Sequence, residues 1–143
     1  MSYAKIIGAL TTFLTLTIPT LGQDFPLTAW TDPNVQEYIC KTLTDDQERT
    51  NAAGSLGFGR LIQSMEVEID CNLKRYSMAV VVTQSMMDLP PDAIPHALTS
   101  IARLICARPG WGRIFELGWS LKASIFFKGK LIRSGSELRN CPP

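Results

Sequence analysis

Four cysteines, Cys40, Cys71, Cys106 and Cys141, constrain this chain more than any other feature. They are separated by 31, 35 and 35 residues. No two form a Cys-x-x-Cys pair, so the pattern points to neither a redox dithiol nor a zinc ribbon. An even set of widely spaced cysteines becomes a disulfide framework when the chain folds in an oxidising compartment. Each loop of this length contributes roughly 3–4 kcal/mol in the chain-entropy picture.

The first 22 residues supply that condition. Lys5 gives a positive start, and Ile6 to Ile18 is apolar or threonine-rich without a charge. Thr20 and Gly22 are small residues at the −3 and −1 positions of a signal-peptidase site. The pattern predicts a signal peptide over 1–22, with Gln23 as the new N-terminus. The apolar run falls well short of the roughly 20 residues needed to span a bilayer. Later runs such as Val80 to Val82 and Ile125 to Phe127 are shorter still and read as strand cores. The expectation is therefore one domain, 23–143, periplasmic or secreted, with no integral membrane segment. Hydrophobic residues at 45% against 19% charged are enough for a core and exclude a disordered polymer.

Periodicity predicts a helix, hairpin, helix, hairpin order. Asp32-Pro33 is a helix start, and Val35, Tyr38, Ile39 and Leu43 follow at helical spacing. Thr44-Asp45-Asp46-Gln47 has the form of a capping box, which predicts either one kinked helix over 33–53 or two short ones. Gly54, Gly57 and Gly59 then make a loop without the spacing of a phosphate cradle. Met65, Val67, Ile69 and Cys71 alternate with Glu66, Glu68 and Asp70. Tyr76, Met78, Val80 and Val82 form a second such face, giving a hairpin over about 62–84. Asp92 caps a helix from Ala93 to about Ala107, with Ile94, Ala97, Leu98, Ile101, Leu104 and Ile105 on one arc. After a short helical turn at 111–117, Trp119, Leu121, Ala123, Ile125 and Phe127 alternate with Ser120, Lys122, Ser124, Phe126 and Lys128. Lys128-Gly129 turns the chain, and Leu131 to Leu138 reads as the returning strand. The predicted fold class is α+β: an antiparallel sheet of about four strands packed by two helices and stapled by disulfides.

Three disulfide connectivities are open to four cysteines. Cys106 precedes the last hairpin and Cys141 follows it, and the end of a hairpin's second strand lies beside the start of its first. That favours Cys106 with Cys141, and leaves Cys40 for Cys71.

The chemistry is sparse. His96, the only histidine, falls on the solvent side of its helix with Asp92 four residues earlier. No histidine-rich metal motif can be built, and no cofactor or metal is expected. Glu66, Glu68 and Asp70 lack the loop pattern of a calcium site and read as a solvated strand face.

Charge is distributed unevenly. Residues 23–100 hold 5 basic and 11 acidic side chains, whereas 101–143 hold 8 basic and 2 acidic. The bland explanation is internal complementarity, with Glu66 and Glu68 lying across the sheet from Lys122. The functional one is a basic face on the last hairpin that meets an acidic protein or an anionic envelope polymer. Arg113, Lys122, Phe126, Lys128, Lys130 and Arg133 are the candidate interface, since arginine and aromatics are favoured at such surfaces. Nucleic acid is disfavoured, because the 13 basic and 13 acidic residues after residue 22 cancel.

The stretch from Leu104-Ile105-Cys106 through Gly118 to Asn140-Cys141 resembles a recurrent group of small secreted bacterial domains. In that group a helix and cysteine precede a short turn, two strands and a final cysteine. The matching positions are Cys106, Pro109, Arg113, Gly118, Gly129 and Cys141; Cys40 and Cys71 depart from the pattern. The resemblance implies the fold and the C-terminal bridge and carries over no catalytic residue. The function expected is a non-enzymatic interaction protein with a protein partner, either an accessory factor of an envelope or secretion assembly or an immunity or inhibitor protein. A small envelope-acting hydrolase and a carrier of an apolar ligand are the alternatives.

Overall fold

The computed structural model describes residues 33–54, 59–107 and 110–143. The expected signal peptide, most of the glycine loop and the Arg108-Pro109 stop lie outside the described residues. The described chain runs α1 (Pro33–Gly54), β1 (Ile62–Asp70), β2 (Arg75–Val82), α2 (Gln84–Met87), α3 (Ala93–Cys106), α4 (Trp111–Glu116), β3 (Ser120–Phe127) and β4 (Lys130–Ser134). It is an α+β fold with one four-stranded sheet in the order β1-β2-β3-β4. Among the described residues no helix is long and apolar enough to cross a membrane.

The expected purely antiparallel sheet needs correction. β1–β2 and β3–β4 are antiparallel hairpins, but β2 and β3 run parallel from Arg75↔Ser120 to Val81↔Phe126. The cause is the single long helix between them. At 1.5 Å per residue, α3 carries the chain back by about 21 Å, roughly a strand length. The next strand therefore starts at the end where β2 started.

Alternation decides which face of the sheet is buried. Met65 and Val67 from β1, Tyr76, Met78, Val80 and Val82 from β2, and Leu121, Ala123 and Ile125 from β3 all enter the core. Ala93, Ile94, Ala97, Leu98, Ile101 and Ile105 of α3 pack against them, as the wheel predicts. Trp111 of α4 meets Tyr76 edge to face at 5.2 Å, an arrangement aromatic pairs prefer.

α1 is one unbroken helix, not two. The capping-box reading fails because Thr44 donates its hydroxyl to the Cys40 carbonyl one turn back, inside the helix. Tyr38, expected on the apolar stripe, is exposed. The buried stripe begins with Val35, Ile39 and Leu43 and continues with polar Asp46 and Thr50.

The side of α1 next to this stripe seals the free edge of β1. Asn51 accepts from the Val67 N–H at 2.6 Å and donates to the Val67 carbonyl at 3.0 Å. Gln47 accepts from the Ile69 N–H at 3.2 Å. Gly54 lies so close to the strand that a Cβ there would meet the Met65 carbonyl oxygen at 2.1 Å. Cys40 is bonded to Cys71, just beyond the strand's end. Residues 54, 51, 47 and 40 thus meet 65, 67, 69 and 71 in order. An edge strand presents unpaired backbone groups that invite foreign strands, and covering it with a helix removes the invitation.

The second bridge joins Cys106 to Cys141, with Cα atoms 5.5 Å apart, so both preferred pairings are present. The geometric reason holds. After β4 the chain falls back along β3, where Gly135 donates to Ala123 and Leu138 pairs with Leu121. The returning strand is shorter than expected and ends at Ser134.

Candidate interaction surface

The sheet face opposite the core is built in rows that follow from the register. One row is Glu68–Ser77–Lys122, the next Glu66–Ala79–Ser124–Ser134, and the next Ser64–Val81–Phe126–Leu131. Ser77, Ala79, Val81, Ser124 and Phe126 are half-buried, while Glu66, Glu68, Lys122 and Leu131 are exposed. The helices α2–α4 put their buried side chains on the other side. A shallow groove of 340 Å³ runs between Gln47, Glu66 and Glu68 on one bank and Ser124 and Phe126 on the other.

The expected neutralisation of Glu66 and Glu68 by Lys122 does not take the form of an ion pair. Glu68 and Lys122 share a row but sit two strands apart, roughly 9–10 Å by strand spacing. The ion pairs among the described residues join Arg49–Asp46, Arg75–Glu137, Arg139–Glu137, Arg113–Glu116 and His96–Asp92. Lys122, Lys128, Lys130 and Arg133 belong to none of them.

The six sequence-chosen interface residues divide. Phe126, Lys128, Lys130 and Arg133 lie together on the β3–β4 hairpin, and Lys122 stands further down β3. Arg113 belongs elsewhere: it sits on α4 and pairs with Glu116 at 2.6 Å. The hairpin closes through Lys128 (φ 48°) and Gly129 (φ 76°), the left-handed pair that a two-residue turn requires. Lys128 holds its ammonium 5.0 Å from the Phe127 ring centre.

Sequence reasoning missed Leu131 and Ile132, which are 56% and 38% exposed. The signal for Leu131 was present. A two-residue turn at Lys128-Gly129 pairs Phe127 with Lys130 and therefore Phe126 with Leu131, on one face. Ile132 is the extra residue where the register shifts.

At the other end of the sheet a polar knot fixes the C-terminal segment. Ser120 donates its hydroxyl to Glu137 at 2.6 Å, and Arg75 and Arg139 lie at 3.5 and 3.8 Å from the same carboxylate. The Ser120 hydrogen bond is the largest influence on the Glu137 carboxyl; desolvation pushes its pKa up, and Arg75 and Arg139 add to the hydrogen bond, so that the carboxyl is held below its usual value.

His96 lies on the exposed side of α3, 3.7 Å from Asp92. Among the described residues no group of three histidine, cysteine, aspartate or glutamate side chains is arranged to hold a metal. A cleft of 170 Å³ between α3, β3 and the C-terminal segment is lined by Leu98, Ala102, Leu121 and Leu138. That is smaller than the roughly 300–1,000 Å³ of most small-molecule pockets.

The two disulfides fit an oxidising, extracellular or periplasmic setting. Compared with known proteins, the chain matches no protein-family model, no curated protein and no solved structure.

Proposed function

We propose that this chain is an exported, non-enzymatic interaction protein that binds a protein partner through the open face of its sheet. Its work is that of an accessory factor in an envelope or secretion assembly, or of an immunity or inhibitor protein. The observation that carries this reading is the row Val81–Phe126–Leu131, apolar side chains aligned on the face opposite the helices. A large exposed apolar residue beside an aromatic, with unpaired cations at the margin, has the composition of an interface centre and rim. Rigidity supports the same reading. Two disulfides and the sealed β1 edge fix the face in advance, so little ordering cost falls on binding.

The test is photo-crosslinking in cells that make the native protein. A photoreactive residue in place of Phe126 or Leu131 gives one discrete protein adduct, identified by mass spectrometry. The same residue at Thr99 or Arg103, on the exposed side of α3, gives none. Equal adducts from both faces, or none from either, refute the proposal.

A further inference from the structure

The two edges of the sheet are treated in opposite ways. β1 is sealed by Asn51, Gln47 and the close approach of Gly54. β4 is bare: all five of its residues are exposed, and no strand or helix lies beyond it among the described residues. Antiparallel pairing with β3 engages one side of β4, and the N–H and C=O groups on its other side have no strand or helix of the described residues to pair with.

We infer that β4 is a strand-addition site, and that its occupant is an extended, acidic and apolar segment of the partner protein. This deepens the proposed function and rests on it. The register specifies the occupant. Lys130 pairs with Phe127 and Arg133 with Ile125, which places both cations toward the helix-covered side. Leu131 pairs with Phe126 and lies on the open face. A strand added beside β4 therefore meets cations on one of its faces and an apolar row on the other. A sequence that alternates acid with apolar residue satisfies both, since opposite charges across adjacent strands attract. From Leu117 to Ser136 the chain has no acid of its own.

The same charges decide against a second copy. Two β4 strands side by side would gather Lys128, Lys130 and Arg133 from each chain into one ladder without a counter-charge. Cationic edges are a usual defence against self-pairing, and here they leave an oppositely charged strand as the matching partner. A non-peptide polyanion would meet the cations but leave the backbone groups unpaired.

The probes are two blocked pentapeptides, Glu-Val-Glu-Val-Glu and Lys-Val-Lys-Val-Lys, titrated into the disulfide-intact protein and followed by NMR. The acidic peptide is expected to shift and protect the backbone amides of 130–134, with cross-strand contacts to Leu131. The basic peptide should bind at least tenfold more weakly. In a Lys130→Glu, Arg133→Glu variant, whose substitutions lie at exposed positions, the preference should reverse. Three results overturn the inference: no protection by the acidic peptide, protection that does not depend on peptide charge, or protection of β4 that grows with protein concentration alone, which would mark a second copy. The crosslinking at Phe126 and Leu131 reports separately. Adducts there without peptide protection of β4 would remove strand addition and leave the open-face reading standing.

Discussion

Asn51→Ala tests the sealing of β1 directly. The wild-type amide acts as one further residue of a strand, accepting from Val67 N–H and donating to Val67 C=O. Alanine removes both bonds and leaves two backbone groups facing a helix surface. A net hydrogen bond contributes about 1 kcal/mol. The pair is part-buried, so water recovers some of the loss, and together the two should cost about 2 kcal/mol. Alanine is the better helix former and returns roughly 0.5 kcal/mol. The expected net is a loss of about 1.5 kcal/mol, or about 6 °C in Tm for a domain of this size. Urea denaturation with the disulfides intact measures it. Native-state hydrogen exchange adds the local signature: the Val67 amide should exchange faster in the variant, while Met78, inside the sheet on β2, should change only as far as global stability does. Asn51→Asp sharpens the case. It keeps the acceptor for Val67 N–H but turns a carboxylate toward the Val67 carbonyl, so it should be more destabilising at neutral than at acid pH. If Asn51→Ala stays within 0.5 kcal/mol of wild type, with Val67 equally protected, the sealing argument fails.

Gly54→Val should cost about 2–3 kcal/mol in the same assay, because its side chain must displace either the end of α1 or the β1 backbone at Met65. A variant with both Cys106 and Cys141 replaced by Ser should lose roughly 4 kcal/mol by chain entropy for a 35-residue loop, read as a fall in the urea midpoint. Glu137 has its pKa lowered in the folded state from the usual 4.5, so its contribution is complete above that value and is lost as pH falls through the depressed one. Stability measured against pH should therefore drop through this acid range in wild type, and less steeply in Glu137→Gln.

The strands and α3 were legible because one principle settled each of them. Alternation in Met65 to Cys71 and in Tyr76 to Val82 needs one face wet and one dry, and the two strands of the first hairpin provide that. The Cys106–Cys141 pairing was legible because it depends only on a hairpin returning to its start. α1 was harder. Its buried stripe changes from Val35, Ile39 and Leu43 to Asp46 and Thr50, with half-buried Asn51 beside them, and a polar stripe reads as a helix end when its surroundings are unknown. The neighbours of this stripe, Gln47 and Asn51, bond strand backbone, and backbone leaves no mark in the sequence of either segment. The parallel β2–β3 pair was missed for a related reason. Local patterns fix hairpins, but strand direction across a helical connection depends on where the helix delivers the chain. In the candidate surface, Phe126, Lys128, Lys130 and Arg133 were found by charge and alternation. Arg113 was grouped with them by closeness in sequence alone, and α4 holds it elsewhere.

The bridges and the edges act together. Cys40–Cys71 secures the helix that closes β1, and Cys106–Cys141 secures the segment that returns along the base of β3. Neither bridge lies within β4, and the Ser120–Glu137 knot ties the chain only after β4 has ended. The restraints thus surround the hairpin and, among the described residues, leave its outer strand without a covering element. A fold that only needed to persist would gain from closing this edge as it closes the other, because an open strand invites association. Three cations at or beside the open strand, none of them in an ion pair among the described residues, meet that hazard by charge instead of by cover. Charge repels copies of the same edge and still admits a strand of opposite sign. Cover would have excluded both. Charge in place of cover at β4 is what the strand-addition proposal requires of an edge that repels its own copies and still admits an acidic strand.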